Sequence, residues 1–562
     1  MGWLHTSTRR FSAVALTALS VGTVAVVVPA TPALAAGPAD HVLYWNDVLL
    51  RTYREVGGAP GPLARAGAMV HGAIYDAANS ALCADGADRC IGQQYRIKVA
   101  PTAGVRPDLA TAIDYAAYDT LRSIWPAKNF DADLTAAQEG ITSSPARTDG
   151  QRMGSASAQA MISFRANDGA PDNSTYADGT VAGQWRRTNP LDPAATPSWG
   201  LVKPFTMTSN TQFRPGPPAN HSSYSTLLAS RTYADQVNEV KSLGAVNSTT
   251  RTADQTQIAW FWANDLNGTY KPPGQLFSHT QVVSKSAKLS QAGNARLFAL
   301  VGLAMGDAAV VAWDTKFQTS IDLWRPESAI HEPQSDNNTA TTPDPNWKPL
   351  SADTNGVNFS PPFPAYTSGH ATFAAAWAGA MKGFFGTDSY RFTGGTQDPH
   401  AVGVTRTFTG FGAAATENAR SRVYLGVHYQ FDADAGISSG TSLANHVTGN
   451  YLRPTAPSYT LDGFYEGQAY LGSSYPDAVS GGTHTIGFRL SANGTPVTDP
   501  GAVVGVTWNG QPGANVGTLT VTNGRYDVTV FTGKGCGPGG QTLSVLLRDG
   551  SRRNLDVRCT IV

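Results

Sequence analysis

The feature that most constrains the fold is a single change in residue pattern near position 480. From about residue 40 to 455, Ala-rich apolar segments recur at helical spacing and are broken by Pro and Gly clusters. After residue 482 the chain has short runs of β-forming residues separated by turn signals such as Asn-Gly and Asp-Gly. With 562 residues it is long enough for more than one core. The pattern predicts an all-α helical bundle followed by a small C-terminal all-β sandwich.

The domain limits follow from the same pattern, with a helical domain at 36–455, a linker at 456–482 and the sandwich at 483–562. The stretch 173–218 lacks a helical period and is predicted to be a long ordered excursion across the bundle. The predicted bundle helices include 63–79, 109–124 and 295–313. The predicted strands are 483–490, 503–508, 517–521, 526–531, 542–547 and 553–562.

Residues 1–35 have the pattern of a cleavable secretory signal. Arg9 and Arg10 precede an apolar run at 14–28, and Ala33-Leu34-Ala35 provides the small residues of a cleavage site. We therefore expect a secreted, extracellular protein. Beyond this segment no window has the roughly 18 to 20 continuous apolar residues of a membrane span, so no span is expected.

The charge balance argues against nucleic acid as a partner, and the cysteines indicate disulfides. The chain has 41 Lys and Arg against 41 Asp and Glu, and it lacks a basic run that would hold nucleic acid. Its four cysteines form two local pairs, Cys83 with Cys90 and Cys536 with Cys559. An oxidising compartment favours a disulfide in each pair, and neither pair has the close spacing or nearby His of a zinc site.

Three cations, Lys316, Arg325 and Arg422, follow one another along the helical domain, and for the first two burial would demand a partner. Lys316 and Arg325 lie in an apolar, Trp-containing stretch, and Arg422 precedes a segment that contains His428 and Asp432. A lone Lys or Arg is normally a solvated surface charge. Three in this order can instead neutralise an oxyanion through direct hydrogen bonds, which indicates a phosphate or vanadate site.

Two histidines complete the predicted site. Ser368-Gly369-His370 precedes an Ala-rich run, so Ser368 and Gly369 are predicted at a helix N-terminus that favours an anion, and His370 is the general acid or base. His428 and Asp432 are four residues apart, a spacing that would place them on one helical face. The carboxylate can then hold one ring nitrogen and leave the other free, so His428 is predicted to be the nucleophile or apical ligand.

At these residues the chain resembles the superfamily of type 2 phosphatidic acid phosphatases, class A acid phosphatases and vanadium-dependent haloperoxidases. Ser421-Arg422, five residues, His428, three residues and Asp432 match one of its motifs without a gap. Within the superfamily, segments 361–373 and 421–432 are most similar to fungal vanadium chloroperoxidases.

The chain departs from the family pattern in two places. Thr367 replaces the usual Pro before Ser-Gly-His, and the interval from Lys316 to Arg325 is two residues longer than usual. An inserted pair can end the helix sooner or bulge it, which would change the reach of Lys316.

The resemblance implies vanadate as the cofactor and His428 as its apical ligand. The residues implied to hold the vanadate oxygens are Lys316, Arg325, Arg422, Ser368 and Gly369. Trp313 and Phe363 match the aromatic positions that line the halide site, and a Phe at position 363 favours chloride competence.

The implied function is a secreted haloperoxidase that oxidises bromide, and through Phe363 chloride, with hydrogen peroxide to hypohalous acid, which reacts with an organic acceptor. His370 would take a proton from the peroxide, Lys316 would polarise the bound oxygen and Asp432 would orient His428. Two alternatives remain open. One is a secreted acid phosphatase that binds phosphate in the same site and acts through a phosphohistidine. The other is a surface-binding protein with a relict site, whose β-sandwich binds a surface or polymer.

Several polar residues have simpler interpretations. His71, Tyr75 and Asp76 are more consistent with interhelical contacts than with catalysis. Asp254 and Asp265 lie upstream, where either carboxylate could orient Arg422, but no motif chooses between them and neither is assigned to the site.

Overall fold

The computed structural model describes residues 37–170, 174–332, 335–509, 515–533 and 541–560. The predicted signal at 1–35 and Cys536 of the second predicted disulfide lie outside these ranges, so both stay predictions. The other predicted pair, Cys83 and Cys90, forms a disulfide as expected.

The first part of the described chain is mainly helical, as predicted. The helices are α1 His41–Val56, α2 Pro60–Cys83, α3 Leu109–Ile124, α4 Asp131–Ala137, α5 Pro145–Arg165, α6 Tyr224–Leu228, α7 Arg231–Leu243, α8 Ala253–Phe261, α9 Lys271–Ser286, α10 Gln291–Phe317, α11 Pro326–His331, α12 Gly369–Phe385, α13 Phe411–Tyr424 and α14 Gln430–Asn450. The three helices predicted from the sequence correspond to α2, α3 and α10.

Helix α10 is the centre of the helical core. It is buried along nearly its whole length and packs against α2, α12 and α14. Among the described helices, α10 is long and apolar enough to cross a membrane, but 94% of its apolar window is buried inside the protein. Asp307 interrupts the apolar run of α10, so the sequence of this helix lacks the continuous apolar stretch typical of a membrane span. The carboxylate of Asp307 accepts hydrogen bonds from the backbone of Phe205 and Thr206, which satisfies the buried charge.

The prediction of a purely α-helical first domain was wrong at one hairpin. Strands β1 Ser389–Gly395 and β2 Thr405–Gly410 pair in an antiparallel sheet between α12 and α13. Alternate side chains of β1 are buried, and Phe392 packs against Trp377 of α12 with ring centroids 5.9 Å apart. A strand this short gives only a weak alternating signal beside long helical segments.

The C-terminal part contains two sheets, and all six predicted strands are present. The strands are β3 Tyr459–Glu466, β4 Ala469–Gly472, β5 Ser474–Val479, β6 Thr483–Ala492, β7 Thr495–Val497, β8 Val503–Asn509, β9 Asn515–Thr522, β10 Arg525–Phe531, β11 Gln541–Leu547 and β12 Arg552–Thr560. One sheet has the order β4-β3-β6-β10-β9 with β7 on β6, and the other has the order β5-β12-β11-β8. Residues of both sheets, including Phe488, Tyr526 and Leu543, share one buried apolar cluster.

The prediction of a linker at 456–482 was wrong, because this segment forms β3, β4 and β5. Strand β3 pairs with β6, and β5 pairs with β12 in parallel. Two glycines of this segment belong to strands: Gly463 lies inside β3 and Gly472 ends β4, and both have positive φ next to irregular pairing. Tyr459 and Phe464 are nevertheless buried, so the segment contributes to the β core.

The edge strand β8 is hydrogen bonded to the helical part of the chain. The backbone N–H of Val506 donates to the carbonyl oxygen of Ala287 at 2.9 Å, and Ser290 N–H donates to Val504 O at 2.8 Å. Gly505 between them faces Leu289. Because these contacts use backbone groups of an open sheet edge, they protect it from pairing with other chains.

The described part of the predicted excursion, 174–218, contains no α-helix and no strand longer than a bridge. It is nevertheless tied to the bundle. The backbone N–H of Trp185 donates to the carbonyl oxygen of Asp322 at 2.7 Å, and the backbone N–H of Ala195 donates to that of Pro362 at 2.9 Å. This segment therefore covers the loops that carry the predicted site residues.

Candidate active site

Lys316 lies in the last turn of α10, which continues to Phe317 despite the longer interval before Arg325. Its side chain is fully buried, and Nζ donates to the carbonyl oxygens of Pro364 at 2.6 Å and Ala365 at 3.1 Å. The two extra residues therefore lengthen the loop after α10, and Lys316 stays inside the helix.

Arg325 is the N-cap residue of α11 and is also fully buried. Its Nε donates to Phe363 O at 2.7 Å, and Nη1 donates to Val427 O at 2.7 Å. Nη1 also lies 3.0 Å from Nε2 of His428. Arg325 thus joins the loop that contains Phe363 to the loop that contains His428.

The predicted pairing of His428 with Asp432 is present, but the helical-face argument for it was wrong. Helix α14 begins at Gln430, so His428 lies outside it while Asp432 is in its first turn. His428 Nδ1 is 2.9 Å from Asp432 Oδ2, which also accepts from Tyr429 N–H at 3.1 Å. The carboxylate therefore caps the helix and holds the Nδ1 side of the ring, so the lone pair is on Nε2.

Ser368, Gly369 and His370 form the N-terminus of α12, as predicted. Ser368 is the N-cap, and its side chain accepts from Ala371 N–H at 3.4 Å. A Cβ added at Gly369 would lie 3.3 Å from the Trp313 ring, so the backbone approaches that indole closely. Gly369 also lines the cavity described below, so the positive N-terminal end of this 17-residue helix lies at the cavity wall.

Asp265 is a site residue that sequence reasoning did not assign. It lies between α8 and α9, and its Oδ2 accepts from Nη2 of Arg422 at 2.8 Å. Its Oδ1 lies 3.8 Å from Nε2 of His370. The other candidate, Asp254, instead pairs with Arg406 at 2.9 Å. Because Arg422 and Asp265 are 157 residues apart, only the folded chain identifies the partner.

A cavity of about 410 Å³ brings most of these groups together. Six predicted residues line it, namely Trp313, Phe363, Gly369, His370, Arg422 and His428. The remaining four, Lys316, Arg325, Ser368 and Asp432, are buried behind this wall. The rings of Trp313 and Phe363 are 5.0 Å apart, and Lys316 Nζ lies 4.9 Å from the Phe363 ring centroid. The predicted set is therefore one cluster in space.

Buried groups without partners indicate what the site can hold. Among the described residues, Nη2 of Arg325, Nε and Nη1 of Arg422 and Oδ1 of Asp432 are buried and accept or donate no hydrogen bond. An unsatisfied buried donor costs about 1 to 3 kcal/mol. Most of these atoms are guanidinium donors, so a bound oxyanion would satisfy them. Across the described ranges, no group of three or more His, Cys, Asp or Glu could hold a bare metal cation.

Burial lowers the pKa of both histidines, which favours their neutral forms. Burial holds the pKa of His428 well below its usual range, and the charge of Arg325 adds to the effect. Burial also lowers the pKa of His370 to about 4, with Arg422 acting in the same direction and Asp265 opposing it. The Ala263 carbonyl oxygen lies 3.0 Å from Nε2 of His370, so Nε2 carries the proton and Nδ1 has the lone pair.

Burial also shifts the pKa values of the lysine, arginine and aspartate side chains of the site. Burial, reinforced by Arg325, holds the pKa of Lys316 well below its usual range. Burial also lowers the pKa of Arg325 to about 9 and raises that of the Asp432 carboxyl to about 7. Burial acts to raise the pKa of the Asp265 carboxyl, but the charges of Arg422, His370 and Lys271 and the hydrogen bond from Arg422 together outweigh burial, so the net pKa is lowered. A bound oxyanion would favour the charged forms of the cations.

The three polar residues interpreted as structural, His71, Tyr75 and Asp76, each have a hydrogen-bond partner outside the cavity. His71 is fully buried, with Nε2 3.3 Å from Asn46 Oδ1, and Asp76 accepts from the backbone N–H of Tyr95 at 2.7 Å. Tyr75 donates to Gln93 O at 2.7 Å. These contacts agree with a structural role.

The match with known proteins covers the part of the chain that carries the predicted residues. Residues 296–455 match the family model described as the VCPO second helical-bundle domain. Vanadium chloroperoxidase of Curvularia inaequalis is 31% identical over 255 residues, which are 36% of this chain and 41% of that protein. The aligned region thus spans about two fifths of the length of this curated relative.

Solved structures share the fold at lower identity. A crystal structure of the first bacterial vanadium-dependent iodoperoxidase has a TM-score of 0.58 and 22% identity, covering 73% of this chain and 95% of that one. A holo-type bacterial vanadium-dependent chloroperoxidase has a TM-score of 0.53 and 16% identity, covering 71% and 93%. The resemblance to the vanadium-dependent haloperoxidases is thereby confirmed, and residues 296–455 of this chain match the model of the VCPO second helical-bundle domain.

Proposed function

We propose that the protein is a vanadium-dependent haloperoxidase that oxidises halide with hydrogen peroxide to hypohalous acid. The observation that carries this proposal is the set of buried, unpartnered guanidinium donors of Arg325 and Arg422 next to the Nε2 lone pair of His428. Vanadate combines a negative charge, oxygens that accept hydrogen bonds and a metal centre that takes a nitrogen ligand, and it fits that donor set.

Each residue has a role that follows from its position. His428 would supply Nε2 as the ligand, with Asp432 keeping the proton on Nδ1. The oxygens would be held by Lys316, Arg325, Arg422, Ser368 and Gly369. When bound, vanadate supplies Lewis-acid activation of hydrogen peroxide without a change in its oxidation state.

His370 is the proposed proton acceptor. It lines the cavity, its pKa is lowered to about 4 by burial, and its Nδ1 has the free lone pair. Neutral imidazole can therefore take a proton from hydrogen peroxide and return it to the leaving oxygen when hypohalous acid forms. Trp313 and Phe363 form an apolar wall for the halide. A halide next to this wall is less hydrated than in solution. We propose bromide as a substrate, with chloride competence inferred from Phe363.

The test uses the mature protein with orthovanadate, hydrogen peroxide and bromide or chloride, and follows halogenation of a dye. Turnover that requires vanadate, is competed by phosphate and is lost in His428→Ala is expected. His446→Ala is the matched control, because His446 is in α14 but donates to Thr206 O at 3.1 Å, away from the cavity. Absence of halogenation together with phosphoester hydrolysis would replace this proposal by the acid phosphatase, whose phosphate would occupy the same donors.

We propose two further properties that the sequence suggests. The two C-terminal sheets would form a sandwich, supported by the apolar cluster to which both contribute. Secretion is supported by the signal pattern at 1–35 and by the Cys83–Cys90 disulfide, a bond typical of oxidising compartments. Binding of a surface or polymer by the C-terminal region stays a prediction.

A further inference from the structure

A second cavity, of about 600 Å³, lies beside the candidate active site. The two cavities share Gly58 and Ala59 in their walls. Ala195 lines the first cavity and the next residue, Thr196, lines the second. The segments 58–59 and 195–196 therefore each border both cavities, so the two cavities are separated by a single layer of residues.

The walls of the second cavity are largely apolar. They include Val56, Leu63, Met69, Ile124, Trp125 and Ile162. Two charged groups near the cavity already have a partner, because the guanidinium groups of Arg65 and Arg165 both contact Asp168 at 2.6 to 2.7 Å. Sites for small organic molecules usually have volumes of about 300 to 1,000 Å³, apolar walls and a few polar groups. The second cavity has the first two of these properties.

An unpartnered donor supplies the third. Trp199 lines this cavity and is 2% exposed, yet its Nε1–H has no acceptor among the described residues. A Cβ added at Gly61 would lie 2.7 to 2.9 Å from Nε1, Cε2 and Cδ1 of Trp199, so Gly61 packs closely against the indole. The hydroxyl of Thr196 is likewise buried without a partner. An indole N–H only donates, so its complement is an acceptor oxygen.

We propose that the second cavity binds the organic acceptor, an apolar aromatic or enolic molecule whose oxygen accepts a hydrogen bond from Trp199. This inference rests on the proposed function, which supplies the oxidant one residue layer away. Hypohalous acid would transfer its halogen to a ring carbon of the bound molecule. The carbon–hydrogen bond breaks as the carbon–halogen bond forms, and the released proton and hydroxide leave as water.

Binding of 2-naphthol tests the site without requiring turnover. Ala166 lines the cavity and its side chain is exposed, so Ala166→Trp can fill the space from the rim without entering the core. In equilibrium dialysis we expect 2-naphthol to bind Ala166→Trp about tenfold more weakly than the parent protein, about 1.4 kcal/mol. Ala132→Trp is the matched control, because Ala132 is an exposed alanine of α4 that lines a different cavity. Equal binding to the parent protein and Ala166→Trp, or no binding to either, would overturn the proposal.

Trp199→Phe separates the hydrogen bond from the shape of the cavity. We expect this variant to bind 2-naphthol more weakly and naphthalene, which has no acceptor oxygen, unchanged. An equal loss for both molecules would overturn the role of the indole N–H.

Kinetics separate this inference from the proposed function. With vanadate, peroxide and bromide, Ala166→Trp should raise the KM for 2-naphthol while the KM for peroxide stays unchanged. If the parent protein oxidises bromide but both proteins halogenate 2-naphthol with the same KM, the acceptor site is wrong and the haloperoxidase stands. If the parent protein does not oxidise bromide at all, the proposed function fails, and 2-naphthol binding then marks a ligand site without a halogenation role.

Discussion

His428 Nδ1 lies 2.9 Å from Asp432 Oδ2, although His428 precedes the helix that carries Asp432. The same carboxylate oxygen accepts from the backbone N–H of Tyr429, the N-cap of that helix. Asp432 thus fixes both the start of α14 and the ring of His428. A substitution of Asp432 should therefore change both the orientation and the basicity of the His428 ring, the proposed ligand.

Asp432→Asn should weaken orthovanadate binding by about 10- to 100-fold, the usual effect of removing the carboxylate behind a metal-binding histidine. The amide keeps the size of the side chain but removes the charge that favours a proton on Nδ1. Isothermal titration of the anion-free protein with orthovanadate measures the change in Kd. Asp434→Asn is the control, because Asp434 is exposed and contacts Gln430. An unchanged Kd in Asp432→Asn would show that this pair does not support the ligand.

Asp265→Asn should lower the pKa of His370 below its value of about 4. Burial and the charge of Arg422 lower the pKa of His370, whereas the carboxylate of Asp265 and the hydrogen bond to the Ala263 carbonyl oxygen raise it. Loss of the negative charge removes the larger of the two raising influences. A titration of the ring resonances in the anion-free protein measures the shift. Asp254→Asn should leave the pKa unchanged, since Asp254 pairs with Arg406. A rise in the pKa of His370 in Asp265→Asn would contradict the predicted direction.

The sequence predicted the site better than it predicted the loops around it. Lys316, Arg325, His370 and His428 could be named because oxyanion chemistry restricts the residue types and their order along the chain. Asp265 could not be named, since a carboxylate 157 residues from Arg422 has no spacing rule and only packing selects it over Asp254.

The fold was predictable where the hydrophobic period is long. Helix α3 was predicted to the residue at Leu109–Ile124, whereas the short strands β1 and β2 were missed within a helical region. The Gly-rich segment at 456–482 was misjudged for a different reason. Gly463 and Gly472 accommodate irregular pairing inside a sheet, and composition alone does not distinguish that use of glycine from a flexible connector.

Anion binding should be coupled to proton uptake by Lys316. Burial lowers the pKa of this ammonium in the anion-free protein, and a bound anion raises it again, so protons are taken up at pH values between the two. Titrations with phosphate in buffers of different ionisation enthalpy count these protons. Lys316→Met should take up fewer protons than the parent protein, and Lys382→Met, with an exposed lysine in the last turn of α12, should take up the same number. Equal uptake in all three proteins would exclude Lys316 as the titrating group.

Gly505→Val should destabilise the contact between β8 and the helical region. A Cβ at this position would lie 2.4 Å from Leu289 Cδ2 and 3.1 Å from the Ala287 carbonyl oxygen, and the backbone atom cannot rotate away as the leucine can. Overpacking of this kind costs about 1 to 3 kcal/mol in the free energy of unfolding, measured by denaturant titration. Gly395→Val is the control, because no atom lies within 4 Å of its added Cβ and it is also in a strand. If both variants unfold at the same denaturant concentration as the parent protein, the β8 contact does not contribute to stability. A loss confined to Gly505→Val would mean that the contact between β8 and the helical region contributes to the free energy of unfolding.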